Sequence, residues 1–257
     1  MKYVSADEAV KLVKSGDWVF FQGSTAVPVI IQEALARRAD ELRGVNIVSG
    51  FNITKGPAPF CRPEYKESFF VNSLFLCADQ REYVAQGYGS LIPGFLGELP
   101  SLIRRHEIPV DVACINCSLP DENGYCSYNI SADLAQPAVE SAKIVIAQVN
   151  KSIPYLYGTA MIHESQITAA VECDDPPVDM QFGPPTEIES AIGSYIAAEI
   201  PDGATLQIGV GGIPNATLNG LKDHRHLGLH TEAMTDGVFR LMQSGVIDNS
   251  LKKIEPG

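Results

Sequence analysis

Thr205-Leu206-Gln207-Ile208-Gly209-Val210-Gly211-Gly212-Ile213-Pro214-Asn215-Ala216 decides how this chain is read. A short apolar run passes directly into glycines and then a proline, which is the order strand, tight turn, helix start: glycine tolerates turn conformations and proline suits a first helical turn. The same arrangement occurs earlier, where Trp18-Val19-Phe20-Phe21 precedes Gly23-Ser24-Thr25-Ala26-Val27-Pro28. At one constant offset Gly23 falls on Gly209, Pro28 on Pro214 and Leu35 on Leu221. Further strand-like runs are Val45–Val48, Phe69–Val71, Leu74–Leu76, Asp111–Ile115, Ile144–Ala147 and Leu227–His230.

Helical patterns lie between these runs. Ser5-Ala6-Asp7-Glu8 forms a capping box, Pro28 opens a helix with an apolar stripe of Ile30, Ile31, Ala34 and Leu35, and a third helix over Glu187–Ile200 carries Ile188, Ala191, Ile192, Tyr195 and Ile196. Strands alternating with helices predict an α/β protein with parallel pairing. Cys173-Asp174-Asp175-Pro176-Pro177 and Gly183-Pro184-Pro185 bracket a segment that suits neither a helix nor a central strand. The expected organisation is two similar open, mostly parallel-sheet units, 1–172 and 187–257, joined by a Pro-rich linker at 173–186. The second unit, of roughly 70 residues, is expected to be incomplete on ordinary domain sizes. The final Lys252-Lys253-Ile254-Glu255-Pro256-Gly257 reads as the middle of a connection.

Composition narrows the function. Of 257 residues, 45% are hydrophobic and 19% charged, which excludes a disordered tail. The net charge of −12 argues against nucleic acid or an anionic membrane surface as partner. No apolar run is long enough for a membrane helix and the N-terminus has no secretory core, so the expected location is cytoplasmic. The six cysteines are unevenly spaced. Cys114-Ile115-Asn116-Cys117 matches C-x-x-C but sits in a strand-like run with no second pair at zinc spacing, and His224 and His226 lack a third ligand, so no metal is expected.

Two stretches could carry chemistry. The N–H groups of Gly209, Val210, Gly211, Gly212 and Ile213 would face whatever anion or oxyanion sits at the start of the following helix. Counted from Gly209 the loop is G-x-G-x-x-P, a dinucleotide fingerprint with proline for its third glycine, and Glu232 lies about 20 residues on, where that fold would put its ribose-binding carboxylate. A purely structural corner is the other reading. Leu229-His230-Thr231-Glu232-Ala233-Met234-Thr235-Asp236-Gly237 stands at a strand end, where open parallel sheets bind ligands, although Asp236 could simply cap the next helix. His163-Glu164 reads as local hydrogen-bonding partners rather than as an acid–base pair.

Together, Gly209–Ala216 and Leu227–Gly237 resemble the acetyl-CoA hydrolase/CoA-transferase family, in its branch of 4-hydroxybutyrate and butyrate:acetate CoA-transferases. Val110–Ala113, Ser118–Ser127, Ala142–Asn150 and Ala160–Ser165 resemble its first-domain pattern, with departures at Leu119 and at Ala233 between Glu232 and Met234. The resemblance implies a CoA-transferase-like fold, a chain shorter than the family's usual length, and a homo-oligomer. It also implies Glu232 as a nucleophile that attacks an acyl-CoA, with a glutamyl-CoA thioester as intermediate. The substrates would be acyl-CoA and short-chain carboxylates, with no permanently bound cofactor. Carboxylates of this type are ionised at neutral pH and need no general base. The glycine loop would stabilise the oxyanions, and the loops Gly50–Pro59 and Gln86–Gly94 would shape the acyl pocket. A short-chain acyl-CoA hydrolase, and a CoA- or nucleotide-binding module or partner-dependent subunit, are the alternatives.

Overall fold

A computed structural model describes residues 1–128, 130–179 and 183–256. The chain divides into two compact units that meet at residues 180 and 181. The Pro-rich stretch expected at 173–186 includes residues 180–182, which lie outside the described residues.

The first unit is an open sheet with helices on both faces. Its strands are β1 (Trp18–Phe21), β2 (Val45–Gly50), β3 (Phe69–Phe75), β4 (Gly89–Leu91), β5 (Val112–Cys117), β7 (Ile144–Asn150) and β9 (Ala169–Cys173), and a short ladder pairs β6 (Tyr125–Ser127) with β8 (Met161–His163). The seven-stranded sheet runs β4-β3-β2-β1-β5-β7-β9, with every neighbouring pair parallel. The chain starts at the centre, winds out through β4, then returns beside β1, so β1 and β5 flank the switch point where such sheets open a crevice. This is the α/β, mostly parallel architecture expected from the sequence.

Both faces are covered, which explains why the strands read as apolar runs rather than as alternating ones. Val19, Phe21, Ile47 and Cys114 pack with Ile31 and Leu35 of α2 (Val29–Ala36), on the side that also holds α1 (Ala6–Ala9) and Tyr83 of α3 (Ala78–Tyr83). Phe20, Val48, Ile115 and Cys117 pack on the opposite side against Ile103 of α4 (Leu99–Arg104) and Ala138 of α5 (Ala135–Ser141). Cys114 and Cys117 therefore lie on opposite faces of one strand, a consequence of their odd spacing.

Two expectations change. Phe69–Val71 and Leu74–Leu76 merge into one strand that runs through Asn72 and Ser73 and ends at Phe75, with Leu76 beyond it; Asn72 donates to Asn46 Oδ1 (3.3 Å) on the neighbouring strand and so remains acceptable inside a buried ladder. Gly89–Leu91, expected within a loop, is the edge strand beside β3.

The second unit comprises α6 (Glu187–Glu199), β10 (Thr205–Leu206), α7 (Gly212–Gly220), β11 (Gly228–Leu229) and α8 (Asp236–Gln243). Strands β10 and β11 are parallel, with α7 as their crossover. Leu206, Ile208, Leu218, Leu221, Leu227, Val238 and Leu241 form its core. The stripe expected to bury α6 does not do so: Ile188 is 74% exposed and Tyr195 76%, whereas Gly193 and Ala197 are buried. The helices meet through small residues, since a Cβ on Gly193 would fall 2.7 Å from the Ala216 backbone and one on Gly220 would fall 2.8 Å from Ala197. Among the described residues no helix is long and apolar enough to cross a membrane.

Gln22, fully buried just after β1, holds the crevice end of the first sheet. Its amide donates to the carbonyls of Tyr128 (3.0 Å) and Ser131 (2.7 Å), and its Oε1 accepts from Asn116 N–H (2.7 Å). Gln22→Leu keeps the volume and leaves a buried N–H and two carbonyls unpaired. It should cost about 3 kcal/mol in urea denaturation; an unchanged midpoint would mean that these groups find other partners.

Candidate active site

The second unit brings the two chemistry-bearing stretches to one end of a strand pair. Strand β10 runs through Gln207 and Ile208 into Gly209, and β11 runs through His230 and Thr231 into Glu232. Because the strands are parallel, the glycine loop and Glu232 leave by the same edge.

The loop is a turn only glycine makes comfortably. Gly211 has φ 137° and ψ −179°, a region essentially closed to residues with a Cβ. No side chain caps α7. Among the described residues none of the N–H groups of Gly209, Val210, Gly211, Gly212 and Ile213 finds an acceptor; those of Gly211, Gly212 and Ile213 are the uncapped donors at the start of α7, with the positive end of its dipole behind them, and those of Gly209 and Val210 precede its cap. A Cβ on Gly212 would collide with the Glu189 carboxylate. That carboxylate is held by a capping box, accepting from Thr186 N–H (2.7 Å) and from the Thr186 hydroxyl (2.9 Å), and the backbone bond first, then the hydroxyl, keeps its pKa below the usual carboxylate range.

Glu232 occupies a bend, is exposed, and makes no hydrogen bond or ion pair with any described residue. Its neighbour Thr231 does. The Thr231 hydroxyl accepts from Ile208 N–H (3.1 Å) and donates to the Ile208 carbonyl (2.9 Å). The clamp thus joins the residue immediately before Gly209 to the residue immediately before Glu232. Reading the sequence passes over Thr231; its signal is a hydroxyl residue placed where a two-residue ladder ends. Asp236 opens α8 without serving as a side-chain cap.

The first unit by itself holds a cavity of about 570 Å³ at the ends of β2 and β3, lined among others by Asn52, Lys55, Phe75, Asp79 and Arg81. Residues 52–57 of the Gly50–Pro59 loop line it. Neither Lys55 nor Arg81 forms an ion pair among the described residues. Asp79 is buried, accepts from Asn52 Nδ2 (2.8 Å), and burial pushes its pKa up. Gly23 has no room for a side chain because a Cβ would strike the Gly50 carbonyl oxygen, whereas its repeat partner Gly209 meets only Pro214 at 3.9 Å. His163 accepts from Ser165 N–H (3.2 Å) and is a local cap, as expected. Its neighbour Glu164 begins that short turn.

Residues 1–180 match the family model of the acetyl-CoA hydrolase/transferase N-terminal domain. The chain is 40% identical to a 4-hydroxybutyrate coenzyme A transferase of Clostridium kluyveri, over 100% of its own length and 59% of the relative's. Among solved structures it is similar to a 4-hydroxybutyrate CoA-transferase from Porphyromonas gingivalis, with a TM-score of 0.84 and 36% identity, covering 99% of this chain and 60% of that one. It is also similar to RipA from Yersinia pestis, with a TM-score of 0.92 and 29% identity, covering 100% and 62%. The chain therefore spans about three-fifths of the length of these relatives.

Strand β11, which leads to Glu232, is pinned on its other side by the 246–249 segment: Leu229 N–H donates to Asn249 Oδ1 (2.8 Å) and Asp248 N–H donates to the Leu227 carbonyl (3.1 Å). The Ser250 N–H and hydroxyl, with His226 (2.8 Å), hold the Asp248 pKa down to about 2. A carboxylate whose folded pKa is depressed stabilises the fold above its unfolded value of about 4, and that contribution is lost as pH falls through the folded value. The stability difference between the parent and Asp248→Asn should therefore shrink as pH falls from about 4 to about 2 in denaturant titrations. A difference that stays constant over that range would show that this carboxylate is not the acid-sensitive group.

Proposed function

The chain belongs to the acetyl-CoA hydrolase/transferase family, and on that premise we propose that the whole protein transfers coenzyme A between short-chain carboxylic acids, with Glu232 as nucleophile. One observation carries this reading. Glu232 and the uncapped Gly209–Ile213 amides leave the same edge of one strand pair and are tied together one residue upstream.

In the proposed sequence the Glu232 carboxylate attacks the thioester carbonyl of an acyl-CoA. The resulting tetrahedral oxyanion expels CoA thiolate and leaves a mixed anhydride. The thiolate then attacks the glutamyl carbonyl, releasing the first carboxylate and forming a glutamyl-CoA thioester. An incoming carboxylate attacks that thioester, and the freed thiolate returns to its acyl carbon, giving the new acyl-CoA and restoring Glu232. Every step passes through a tetrahedral oxyanion, for which the loop amides are suited donors; one such donor is typically worth ~10²–10³ in rate. A carboxylate nucleophile needs no partner to deprotonate it, and among the described residues no base is bonded to Glu232.

Two of the relatives named above are 4-hydroxybutyrate CoA-transferases, which supports a short-chain hydroxy- or alkanoate as the acyl partner. The first-unit cavity, with Lys55 and Arg81 on its wall, suits an anionic substrate. All six cysteines are free thiols, the state of a reducing cytoplasm.

In the full-length polypeptide, Glu232→Ala should lower exchange between acyl-CoA and acetate by more than ~10³-fold. Mild hydride reduction after incubation with acyl-CoA should change the mass of the peptide that contains Glu232, by converting the glutamyl thioester to an alcohol. Turnover retained in Glu232→Ala would sink the assignment.

A further inference from the structure

The parallel ladder between β10 and β11 stops early, and its last bond runs from His230 N–H to the Leu206 carbonyl (2.9 Å). In a regular parallel pair the next residue to be bonded on the β10 side is Ile208, which would donate to the His230 carbonyl and accept from Glu232 N–H. Neither bond forms. The Thr231 hydroxyl supplies both partners instead, accepting from Ile208 N–H (3.1 Å) and donating to its carbonyl (2.9 Å). Ile208 is thereby satisfied while Glu232 is left out of the sheet, in a bend, with its N–H bonded to no described residue. Both motifs start one Cα step of about 3.8 Å from the clamp, Gly209 beyond Ile208 and Glu232 beyond Thr231.

We propose that Thr231 is a positioning residue for the transfer reaction: by replacing the last rung of the ladder with its hydroxyl, it peels Glu232 off the strand and fixes it relative to the Gly209–Ile213 loop. This rests on the reading of Glu232 as nucleophile. A backbone rung at this point would draw Glu232 into the sheet and spend its N–H on Ile208. Without either the rung or the hydroxyl, Ile208 N–H and its carbonyl stand unpaired at a half-buried edge, and the distance between nucleophile and loop becomes variable. Misplacement of a reacting group by about 1 Å can cost ~10²-fold in rate. Valine cannot supply the rung, whereas serine can, since it keeps the hydroxyl and loses only the methyl.

The test compares Thr231→Val, Thr231→Ser and Glu232→Ala in the full-length enzyme, with steady-state kinetics and amide hydrogen exchange at Ile208. Thr231→Val should lower kcat ~10–100-fold while the KM for acyl-CoA stays within ~3-fold, because an interaction that orients the nucleophile acts on the reacting step. Ile208 exchange should rise in parallel. Thr231→Ser should restore both kcat and Ile208 protection to within ~3-fold of the parent. If Thr231→Val does not fold, Thr231→Cys, whose thiol is a weak donor of similar size, takes its place with the same expected direction. An Ile208 amide that loses protection in Thr231→Val while kcat is unchanged would overturn the proposal, as would a Thr231→Ser variant as impaired as Thr231→Val. Glu232→Ala separates the two readings: retained turnover there refutes the nucleophile, whereas lost turnover there with a fully active Thr231→Val refutes only the positioning role.

Discussion

Parallel sheets collect the ends of all their strands at one edge, and there the backbone N–H and carbonyl groups run out of ladder partners. Buried or half-buried groups of this kind must be bonded to something, and in both units of this chain a polar side chain does the bonding just before a glycine turn. In the first unit it is Gln22, whose amide spans Asn116, Tyr128 and Ser131. In the second it is Thr231, whose hydroxyl serves both backbone groups of Ile208. Gln22 falls on Ile208 at the same constant offset that puts Gly23 on Gly209, each preceding the first glycine. The two solutions differ: one places the bonding side chain at that position, and the other brings it from the neighbouring strand.

This difference separates the tasks of the two turns. Gln22 fixes its edge through three bonds inside a fully buried setting, and Gly23 is pressed against the Gly50 carbonyl. That turn is packed and suits a scaffold. The loop after Ile208 has no such neighbour, since Gly209 meets only Pro214, and its amides remain open. Equal glycines in a repeat therefore carry unequal roles. Gly23 permits close backbone approach where its counterpart Gly209 meets only Pro214, and Gly211, which falls on Thr25 at the same offset, permits a dihedral pair that other residues avoid.

The sequence carried much of this, and where it fell short the causes are physical. Strand runs were legible because both faces of the first sheet are covered, which makes β1, β5 and β7 nearly continuous apolar segments. Strand β3 looked broken because Asn72 and Ser73 are polar; Asn72 is held by side-chain bonds to Asn46 and Ser90 on the two flanking strands, whereas the buried Ser73 hydroxyl finds no partner among the described residues. Strand β4 is short, glycine-led and at the edge, so it carries almost no periodic signal. The α6 stripe was a sound pattern attached to the wrong surface: small residues let helix backbones approach closely, and Gly193 and Ala197 take the contact while Ile188 and Tyr195 face outward. Glu232 and the glycine loop were recognisable as motifs. Parallel pairing brings both to one edge, but the tie between them was not legible, because it is one hydroxyl meeting a residue 23 positions earlier in the chain.

That hydroxyl also bears on the proposed role of Glu232, a carboxylate at a strand end. A residue in a ladder has its side chain directed alternately to one face or the other, and its N–H committed to the neighbouring strand. Such a residue can be presented to a substrate only in the direction the pleat dictates. Ending the ladder one rung early frees the direction, but by itself it would leave Ile208 unsatisfied and the chain loose. Substituting a side-chain rung achieves the release while keeping the anchor, at the cost of requiring a short hydroxyl residue immediately before the nucleophile. Threonine meets that requirement with the least freedom, since its branched Cβ restricts the side-chain torsion more than serine does. With Glu232 as the proposed nucleophile, the hydroxyl at 231 and the carboxylate at 232 form one proposed device.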